Sequence, residues 1–424
     1  MTFRESEYPD LVRHLLNLIQ KEGVSLTELR AQAQLVEKLS AQYPIYPGLI
    51  LEQLKPEHIV LKPSAPAHIS PADKKITHSR KQLAKMLLDT EIPTDRAYTV
   101  LVWGTMDTGK SSLVHYLANE LIRAGRKVGI LDCDMGQSDI GPPSTIGLAL
   151  TRRTFRTFAE LKISGLRFVG SHAAAMHLLP ALTGTAQLCA QAKSHCEILL
   201  VDTTGWVIGA GARAYRQSEY GIVQPDLVIA LERKDELSPL MKSATPNRMV
   251  RVTVPPRVKK RSRGRRSQVR QQLYRAYFSR TRRHSFSWQD IRIERAYLLT
   301  GNPVWTRSVK TLWAETYAPS EGIFIATNQR LTEKQTAALK NEFSTDKIRT
   351  LLCGTEKGLL CALSSGEGEV AAIGTMDHID FRKKKIVMSV PLSADLTRVR
   401  AIQIGSVQLN PDFTEAGFIE PGSL

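Results

Sequence analysis

Long hydrophobic runs are missing from this sequence of 424 residues. No stretch of about eighteen or more uncharged apolar residues occurs, which argues against a membrane-spanning helix. The first ten residues, MTFRESEYPD, also lack the apolar core of a secretory signal. We therefore expect a cytoplasmic protein.

Cysteine is scarce, and its five positions follow no metal-binding pattern. None of them forms a CxxC pair, and none has a histidine at a spacing that suggests zinc. We therefore expect ordinary buried thiols in a reducing compartment. The five residues are Cys133, Cys189, Cys196, Cys353 and Cys361.

Acidic residues are absent from residues 257–283, RVKKRSRGRRSQVRQQLYRAYFSRTRR, which contain twelve Lys or Arg. This segment supplies +12 of the formal net charge of +17. Such a dense cluster repels itself unless an anion lies against it, which makes nucleic acid or nucleotide phosphate the leading class of partner. Composition alone leaves open a solvated, disordered basic loop.

The length predicts two or three domains. Residues 1–95 read as a helical N-terminal module with a linker. Residues 96–290, which include the basic segment, alternate apolar strands with helices in their first part, as in a parallel sheet covered on both faces. Residues 291–424 contain shorter strands and predict a smaller β-rich domain. The fold class is therefore α/β.

The sequence GTMDTGKS, residues 104–111, matches G-x-x-x-x-G-K-[ST] between a predicted strand and a predicted helix. The glycines let several N–H groups point at one centre, and the helix N-terminus adds positive potential. Lys110 would reach the β- and γ-phosphates, and the Ser111 hydroxyl would bind Mg²⁺. A tight turn without a ligand is the alternative. The predicted nucleotide-binding residues are Gly104, Thr105, Met106, Asp107, Thr108, Gly109, Lys110, Ser111 and Ser112.

Three aspartates follow or end predicted strands of the α/β region. Asp132 and Asp134 lie in LDCDMGQSDIGPPS, and Asp202 ends the strand of EILLVDTTGW. Ligands of open α/β sheets bind at this edge, where carboxylates beside a phosphate loop can hold Mg²⁺ and accept a proton. A helix cap or a loop turn is the alternative for each aspartate taken alone.

The motifs together resemble the polynucleotide 5′-hydroxyl kinases of the Clp1/Grc3/Nol9 group. The resemblance rests on GTMDTGKSS, LDCDMGQSDIGPPS, FVGSHAA and VDTTGWVIGAGARAYRQSEYGIVQPDLVIAL, and it extends through the basic segment into DHIDFRKKKIVMSVPL and RVRAIQIGSVQL. It covers roughly residue 98 to the C-terminus. The helical N-terminus resembles neither the β-rich N-terminal domain of the eukaryotic members nor another family.

The resemblance implies roles for three residues outside the phosphate loop. Asp134, the second acid of D-x-D-x-G-Q, would take the proton from a 5′-hydroxyl, and Gln137 would position that end. Trp206 would stack on the terminal base, which suits a reader without sequence preference. A tryptophan that fills the core is the alternative.

The basic segment is similar to the arginine-bearing lid of this family. The resemblance implies that Arg261, Arg266 and Arg270 close on the γ-phosphate, with Arg266 and Arg270 on one helical face. His172 stands where the family has a threonine of a clasp over the phosphates. It could donate to a phosphate, or the clasp could be weakened. A satisfied surface histidine is the alternative.

The sequence therefore predicts a kinase that uses ATP and Mg²⁺ to phosphorylate the 5′-hydroxyl end of RNA, DNA or both. One alternative is a P-loop switch protein that binds nucleotide to regulate a partner. The other is a nucleic-acid-processing scaffold that binds ATP without transferring its phosphate. Protein partners are not indicated.

Overall fold

The computed structural model describes residues 79–244, 248–254, 258, 261–318, 320–366 and 368–424. Residues 74–424 form one compact unit. Most of the helical module and linker predicted over residues 1–95 lies outside the described residues, which begin at residue 79.

A seven-stranded sheet forms the centre of the α/β region. Its strands are β1 (Tyr98–Gly104), β2 (Val128–Asp132), β3 (Thr145–Thr151), β4 (Ile163–Phe168), β5 (Ile198–Asp202), β6 (Leu227–Glu232) and β7 (Met249–Thr253). The strand order is β4-β3-β2-β5-β1-β6-β7. Strands β2, β5, β1, β6 and β7 are parallel, while β3 and β4 add an antiparallel edge. The predicted α/β fold class is confirmed, with two antiparallel strands that the sequence did not reveal.

Helices cover both faces of this sheet because its strands are apolar on both sides. The helices are α1 (Arg80–Leu88), α2 (Lys110–Arg123), α3 (Leu178–Lys193), α4 (Ala210–Val223) and α5 (Ser238–Ala244). In β1, Val100 and Val102 belong to the core formed with α1 and α2. Leu101 and Trp103 belong to the opposite core, formed with α3, α4 and α5. This alternation follows from the two-residue period of a strand.

The parallel strands bring the predicted acids to one edge of the sheet. Asp202 lies opposite Val102 of β1 on one side and opposite Asp132 of β2 on the other. The phosphate loop begins at Gly104, where β1 ends at this same edge. The edge therefore assembles the loop and the acids from three separate parts of the chain.

The C-terminal region contains two further sheets. Its strands are β8 (Thr281–Ser287), β9 (Arg292–Glu294), β10 (Asn302–Pro303), β11 (Trp313–Thr316), β12 (Ile323–Thr327), β13 (Ile348–Leu352), β14 (Leu359–Ser364), β15 (Val370–Asp380), β16 (Lys385–Pro391), β17 (Ala401–Leu409) and β18 (Glu415–Phe418). One sheet has the order β10-β11-β12-β13, and the other has the order β18-β17-β14-β15-β16-β8 with β9 beside β17. Helix α7 (Glu333–Glu342) packs on β13. The β-rich character is confirmed, while the domain boundary after residue 290 stays a prediction.

The basic segment forms helix α6 (Arg263–Tyr277), which a few aromatic residues hold in place. Tyr274 is fully buried and Phe278 nearly so. They share one apolar cluster with Phe168 of the central sheet and Val407 of the C-terminal sheet. Since this cluster spans both sheets, it fixes the direction in which α6 carries its arginines.

All five cysteines are free thiols; Cys133, Cys189 and Cys361 are buried as predicted, while Cys196 and Cys353 are only partly buried. Burial raises the pKa of Cys196 and Cys361 to about 12, which keeps both thiols protonated near neutral pH. Among the helices of the described ranges, none is both long enough and apolar enough to span a membrane.

Candidate functional site

The phosphate loop joins β1 to α2 and has the backbone geometry that its glycines predict. Gly109 precedes the helix with φ of 88°, and Asp107 also has a positive φ, of 57°. A Cβ atom on Gly104 would come within 2.5 Å of the Thr108 hydroxyl. Within the described ranges no side chain caps the N-terminus of α2, so its first N–H groups face the loop and are available to an anion.

Lys110 is buried beside this loop, and its Nζ donates to the carbonyl oxygen of Thr105 at 3.1 Å. Burial lowers the pKa of Lys110, while the negative charges of Asp202 and Asp134 raise it. The ammonium group therefore lies between the phosphate loop and the acids at the sheet edge, where an additional anion would favour its charged form.

Asp202 ends β5 beside the loop and has an incompletely satisfied carboxylate. It is buried near the Ser111 hydroxyl, while its Oδ1 has no partner in the part of the chain described. Burial raises the pKa of Asp202 to about 7, opposed by Lys110. A buried carboxylate oxygen without a donor is costly, and a cation or its bound water would satisfy it.

Asp132 and Asp134 organise the loop that follows β2. The Asp132 carboxylate accepts hydrogen bonds from the N–H groups of Asp134, Asp139 and Ile140, at 2.9, 2.6 and 3.0 Å. Burial, together with neighbouring acids, raises its pKa well above the usual value. Both carboxylate oxygens of Asp132 therefore accept hydrogen bonds from the loop, as expected for an aspartate that stabilises a loop turn.

Asp134 differs from Asp132 in that one of its oxygens is available. Its Oδ1 accepts from the N–H groups of Gly136 and Gln137 at 3.1 and 3.2 Å. No donor within the described ranges bonds to Oδ2, and the residue is partly exposed. The carboxylate is therefore oriented by two hydrogen bonds while one oxygen can accept a proton.

Asp139 is a site residue that the sequence analysis missed. Its carboxylate lies near the Ser111 hydroxyl and near the charges of Asp134 and Arg261. Desolvation, followed by the charge of Asp134, raises its pKa to about 6. It lies inside the quoted motif LDCDMGQSDIGPPS, but no strand end marks it.

The carboxylates around Ser111 suit a Mg²⁺ ion that is coordinated mainly by the phosphates of a bound nucleotide. No group of three His, Cys, Asp or Glu side chains in the described residues is arranged to hold a metal alone. Mg²⁺ at phosphate sites takes one or two protein oxygens and fills its remaining positions with phosphate oxygens and water. Ser111 flanked by Asp202 and Asp139 fits that requirement.

Two of the three predicted lid arginines reach the phosphate loop. The Asp107 carboxylate accepts hydrogen bonds from the backbone N–H of Arg261 at 2.9 Å and from Arg266 Nη1 at 3.2 Å. Arg261 Nη1 also donates to Gln137 Oε1 at 2.8 Å. The start of the lid therefore contacts both the phosphate loop and the loop after β2.

The third arginine, Arg270, faces the C-terminal sheet instead. Its Nε donates to Glu415 of β18 at 2.6 Å, and Glu415 also accepts from the Ser267 hydroxyl. The resemblance implied a position over the γ-phosphate for Arg270, which differs from the position observed. The difference arises because Glu415, remote in sequence, offers a carboxylate to this turn of α6.

His172 lies under α6 rather than on the surface. Its Nε2 is 2.7 Å from the Tyr274 hydroxyl, and its ring meets Phe418 edge to face. Its Nδ1 lies 3.7 Å from Glu415 and has no hydrogen bond among the described residues. Burial, and then Arg270, lowers the pKa of His172 to about 3. The neutral imidazole thus packs beneath the lid helix rather than on the surface, and its predicted part in a phosphate clasp stays a prediction.

The loop after β5 carries Trp206 directly past the phosphate loop. A Cβ atom on Gly205 would come within 2.4–2.6 Å of Met106, so only glycine fits this close approach. The Trp206 ring is half-buried, with its centroid 5.8 Å from that of Tyr215. Part of the Trp206 ring therefore packs in the core, as expected for a core-filling tryptophan, and the rest is accessible to solvent.

Arg216 holds this loop from inside the core and was not found by sequence reasoning. Its side chain is fully buried. It donates to the Thr204 hydroxyl at 2.7 Å and to the Trp206 carbonyl at 3.2 Å, and it pairs with Glu219, which is also fully buried. An arginine that donates to loop oxygen atoms ten and twelve residues before it leaves no local signal in the sequence.

We expect Arg216→Met to lower the free energy of unfolding by about 3–5 kcal/mol, because it leaves Glu219 charged and buried without its partner. Thermal or denaturant unfolding measures this change. Arg213→Met, in the same helix but only partly buried, is the matched control and should change stability far less. Equal stability of the two variants would contradict the structural role of the pair.

The sheet order, the loop before α2 and the acids at strand ends define a P-loop protein that binds nucleotide phosphates. The family described as the P-loop of the mRNA cleavage and polyadenylation factor CLP1 matches residues 104–280. A polyribonucleotide 5′-hydroxyl-kinase of Pyrococcus furiosus is 30% identical over 357 residues, covering 81% of this chain and 100% of that protein. Another, from Pyrococcus abyssi, is 28% identical over 364 residues, covering 80% and 99%.

The chain belongs to this family of Clp1-type polyribonucleotide 5′-hydroxyl-kinases. The solved complex of Clp1p with Pcf11p shares the fold, with a TM-score of 0.53 over 78% of each chain and 11% identity. The resemblance noted from the sequence motifs is thereby confirmed.

Proposed function

We propose that the protein transfers the γ-phosphate of ATP to the 5′-hydroxyl end of RNA. The observation that carries the proposal is that three features converge at the phosphate loop. They are Lys110, Asp134 with one carboxylate oxygen available, and the first two lid arginines. Relatives named polyribonucleotide 5′-hydroxyl-kinases support it and favour RNA over DNA. Because the cysteines are free thiols, which suits a reducing compartment, we place the reaction in the cytoplasm.

In the proposed reaction the 5′-oxygen attacks the γ-phosphorus of ATP, and the bond from that phosphorus to the β-phosphate oxygen breaks. Asp134 Oδ2 takes the proton of the hydroxyl, while Oδ1 is held by two N–H groups. Lys110 and the N–H groups of the loop stabilise the charge that develops on the phosphates. The products are ADP and RNA with a 5′-phosphate.

Mg²⁺ would be held by Ser111, with Asp202 and Asp139 acting through water, and when bound it would neutralise charge on the phosphates. We assign Asp132 to organising the loop rather than to the metal, because loop N–H groups occupy both of its oxygens. Gln137 would position the incoming end beside Asp134, and the accessible part of Trp206 would stack on its terminal base.

The lid arginines divide between two roles in this proposal. Arg261 and Arg266 contact Asp107 and can exchange that carboxylate for the γ-phosphate at the same loop. Arg270, paired with Glu415, would instead fix the middle of α6, together with His172 and Tyr274. A catalytic role for Arg270 would require its pair with Glu415 to break.

The test incubates the purified chain with γ-labelled ATP, Mg²⁺ and single-stranded RNA or DNA of one sequence with a 5′-hydroxyl. We expect label on the RNA and loss of labelling in Lys110→Ala. ATP hydrolysis without transfer would favour the nucleotide switch, and ATP binding with neither reaction would favour the scaffold. Equal labelling of RNA and DNA would contradict the preference for RNA.

A further inference from the structure

Strand β8 is a basic edge of the C-terminal sheet. In the described residues it ends the strand order and pairs on one side only, with β16. Its first half carries Arg282 and Arg283, preceded by Arg280, and all three side chains are exposed. Edge strands commonly carry cations that discourage strand pairing, so these arginines alone do not identify a ligand.

The turn between β15 and β16 extends this charge to the other end of the strand. Residues 382–385, Arg-Lys-Lys-Lys, are all exposed. Register places Lys385 opposite Ser287 and Pro391 opposite Thr281, so the turn and the arginines lie at opposite ends of β8. Lys384 also lies over the Trp313 ring, with its Nζ 5.8 Å from the centroid.

The charge along this edge is poorly balanced. Residues 280–287 and 377–391 together contain seven Lys or Arg but only two acids, Asp377 and Asp380. Asp377 is already paired with Arg283 at 3.0 Å. Cations on the strand itself protect against strand pairing, whereas an excess that extends into the turn at residues 382–385 fits a polyanion that passes along the edge.

A cavity of about 410 Å³ opens beside the same strand. Its polar lining is His284, Ser285 and Ser287 of β8, Asp290 after that strand, and Arg400 from the loop before β17. A volume of this order, with hydroxyl, imidazole, guanidinium and carboxylate groups, is in the range of ligand sites. The edge therefore offers a concave polar surface in addition to its charge.

Chain connectivity links this edge to the phosphate loop. Helix α6 starts where Arg261 and Arg266 contact Asp107, and β8 begins four residues after the helix ends. The 15 residues of α6 span about 22 Å at 1.5 Å per residue. The 7 residues of β8 add about 24 Å at 3.4 Å per residue.

We propose that β8 and the turn at residues 382–385, here called the basic edge, bind the phosphate backbone of the RNA downstream of its reacting 5′ end. This inference rests on the proposed function for the identity of the polyanion. An RNA strand that follows α6 and then the basic edge covers about 46 Å. This path takes roughly 14 nucleotides at 3.4 Å per phosphate and fewer where the RNA is extended. Dinucleotides would react without reaching the basic edge.

The experiment measures kcat/KM for 5′-hydroxyl RNAs of two, four, eight and twelve nucleotides. Two charge reversals are compared: Arg280→Glu with Arg282→Glu, and Arg382→Glu with Lys383→Glu. The control reverses two exposed lysines of α1, Lys81→Glu with Lys85→Glu. We expect KM of the unchanged protein to fall at least tenfold from the dinucleotide to the twelve-nucleotide RNA, and each edge variant to lose most of that gain while keeping its activity on the dinucleotide.

Anisotropy of a labelled twelve-nucleotide RNA with a 5′-phosphate gives a readout that does not need transfer. Each lost phosphate contact should reduce the slope of log K against log salt by about 0.7. An edge variant with unchanged length dependence and slope, or a control variant with an equal loss, would overturn the proposal. If no RNA is phosphorylated but the edge variants still bind it more weakly than the control, the proposed function fails and the basic edge stands.

Discussion

Asp134→Asn is expected to lower kcat for phosphorylation of a 5′-hydroxyl RNA by about 10²- to 10⁴-fold. The amide keeps an oxygen that can accept from Gly136 and Gln137, so the loop should retain its conformation. What is lost is an oxygen that accepts the proton of the attacking hydroxyl. Single-turnover transfer with saturating ATP and RNA measures the effect.

Two controls separate this loss from a general defect. ATP affinity, measured with a fluorescent analogue, should stay within a few-fold, because Lys110 and the phosphate loop are intact. Ser138→Ala, in the same loop, removes a hydroxyl near Asp132 and should cost far less activity. Near-normal turnover in Asp134→Asn would remove this residue as the base and leave Asp139 as the nearest alternative carboxylate.

Arg266→Ala is expected to lower kcat by about 10³-fold, the lower end of the range for arginines that stabilise phosphoryl transfer. Arg266 is one of the two lid residues that contact the phosphate loop through Asp107. Lysine should not restore the rate, because its point charge lacks the planar fork of a guanidinium group. Rapid-quench measurement of one turnover distinguishes a chemical defect from slow product release.

Arg270→Ala is the informative comparison because the family resemblance and the structure differ there. If Arg270 mainly fixes α6 through Glu415, its loss should cost kcat less than about tenfold and should be matched by Glu415→Gln. If Arg270→Ala lowers kcat as much as Arg266→Ala does while Glu415→Gln leaves kcat unchanged, Arg270 would instead act on the γ-phosphate. Arg265→Ala, exposed on the same helix, serves as the common control.

Sequence reasoning located the parts of the site that local patterns encode. The phosphate loop is contiguous, and its spacing alone identifies Gly104 through Ser111. Asp202 is found because it ends a continuous apolar strand, a signal that lies within a few residues of the side chain. Arg261 and Arg266 were predicted only from the resemblance of the basic segment to the lid of the family.

The remaining features depend on contacts between distant parts of the chain. Arg270 and Glu415 are 145 residues apart, and Glu415 has no neighbouring motif that marks it. Arg216 acts through buried hydrogen bonds to a loop ten to twelve residues away, which a helical pattern does not show. The antiparallel strands β3 and β4 were missed because the glycine and proline residues before β3 read as a continuing loop.

Asp107 gives the lid a counter-ion from its own chain. Its single negative charge offsets part of the positive charge of Arg261 and Arg266 before any substrate arrives, which reduces their mutual repulsion at the loop. In the proposed reaction an incoming phosphate would displace the Asp107 carboxylate from the arginines, and departure of the product would restore that contact. Turnover would then include an ion exchange at the start of α6, and its rate should depend on how tightly this one aspartate competes with phosphate.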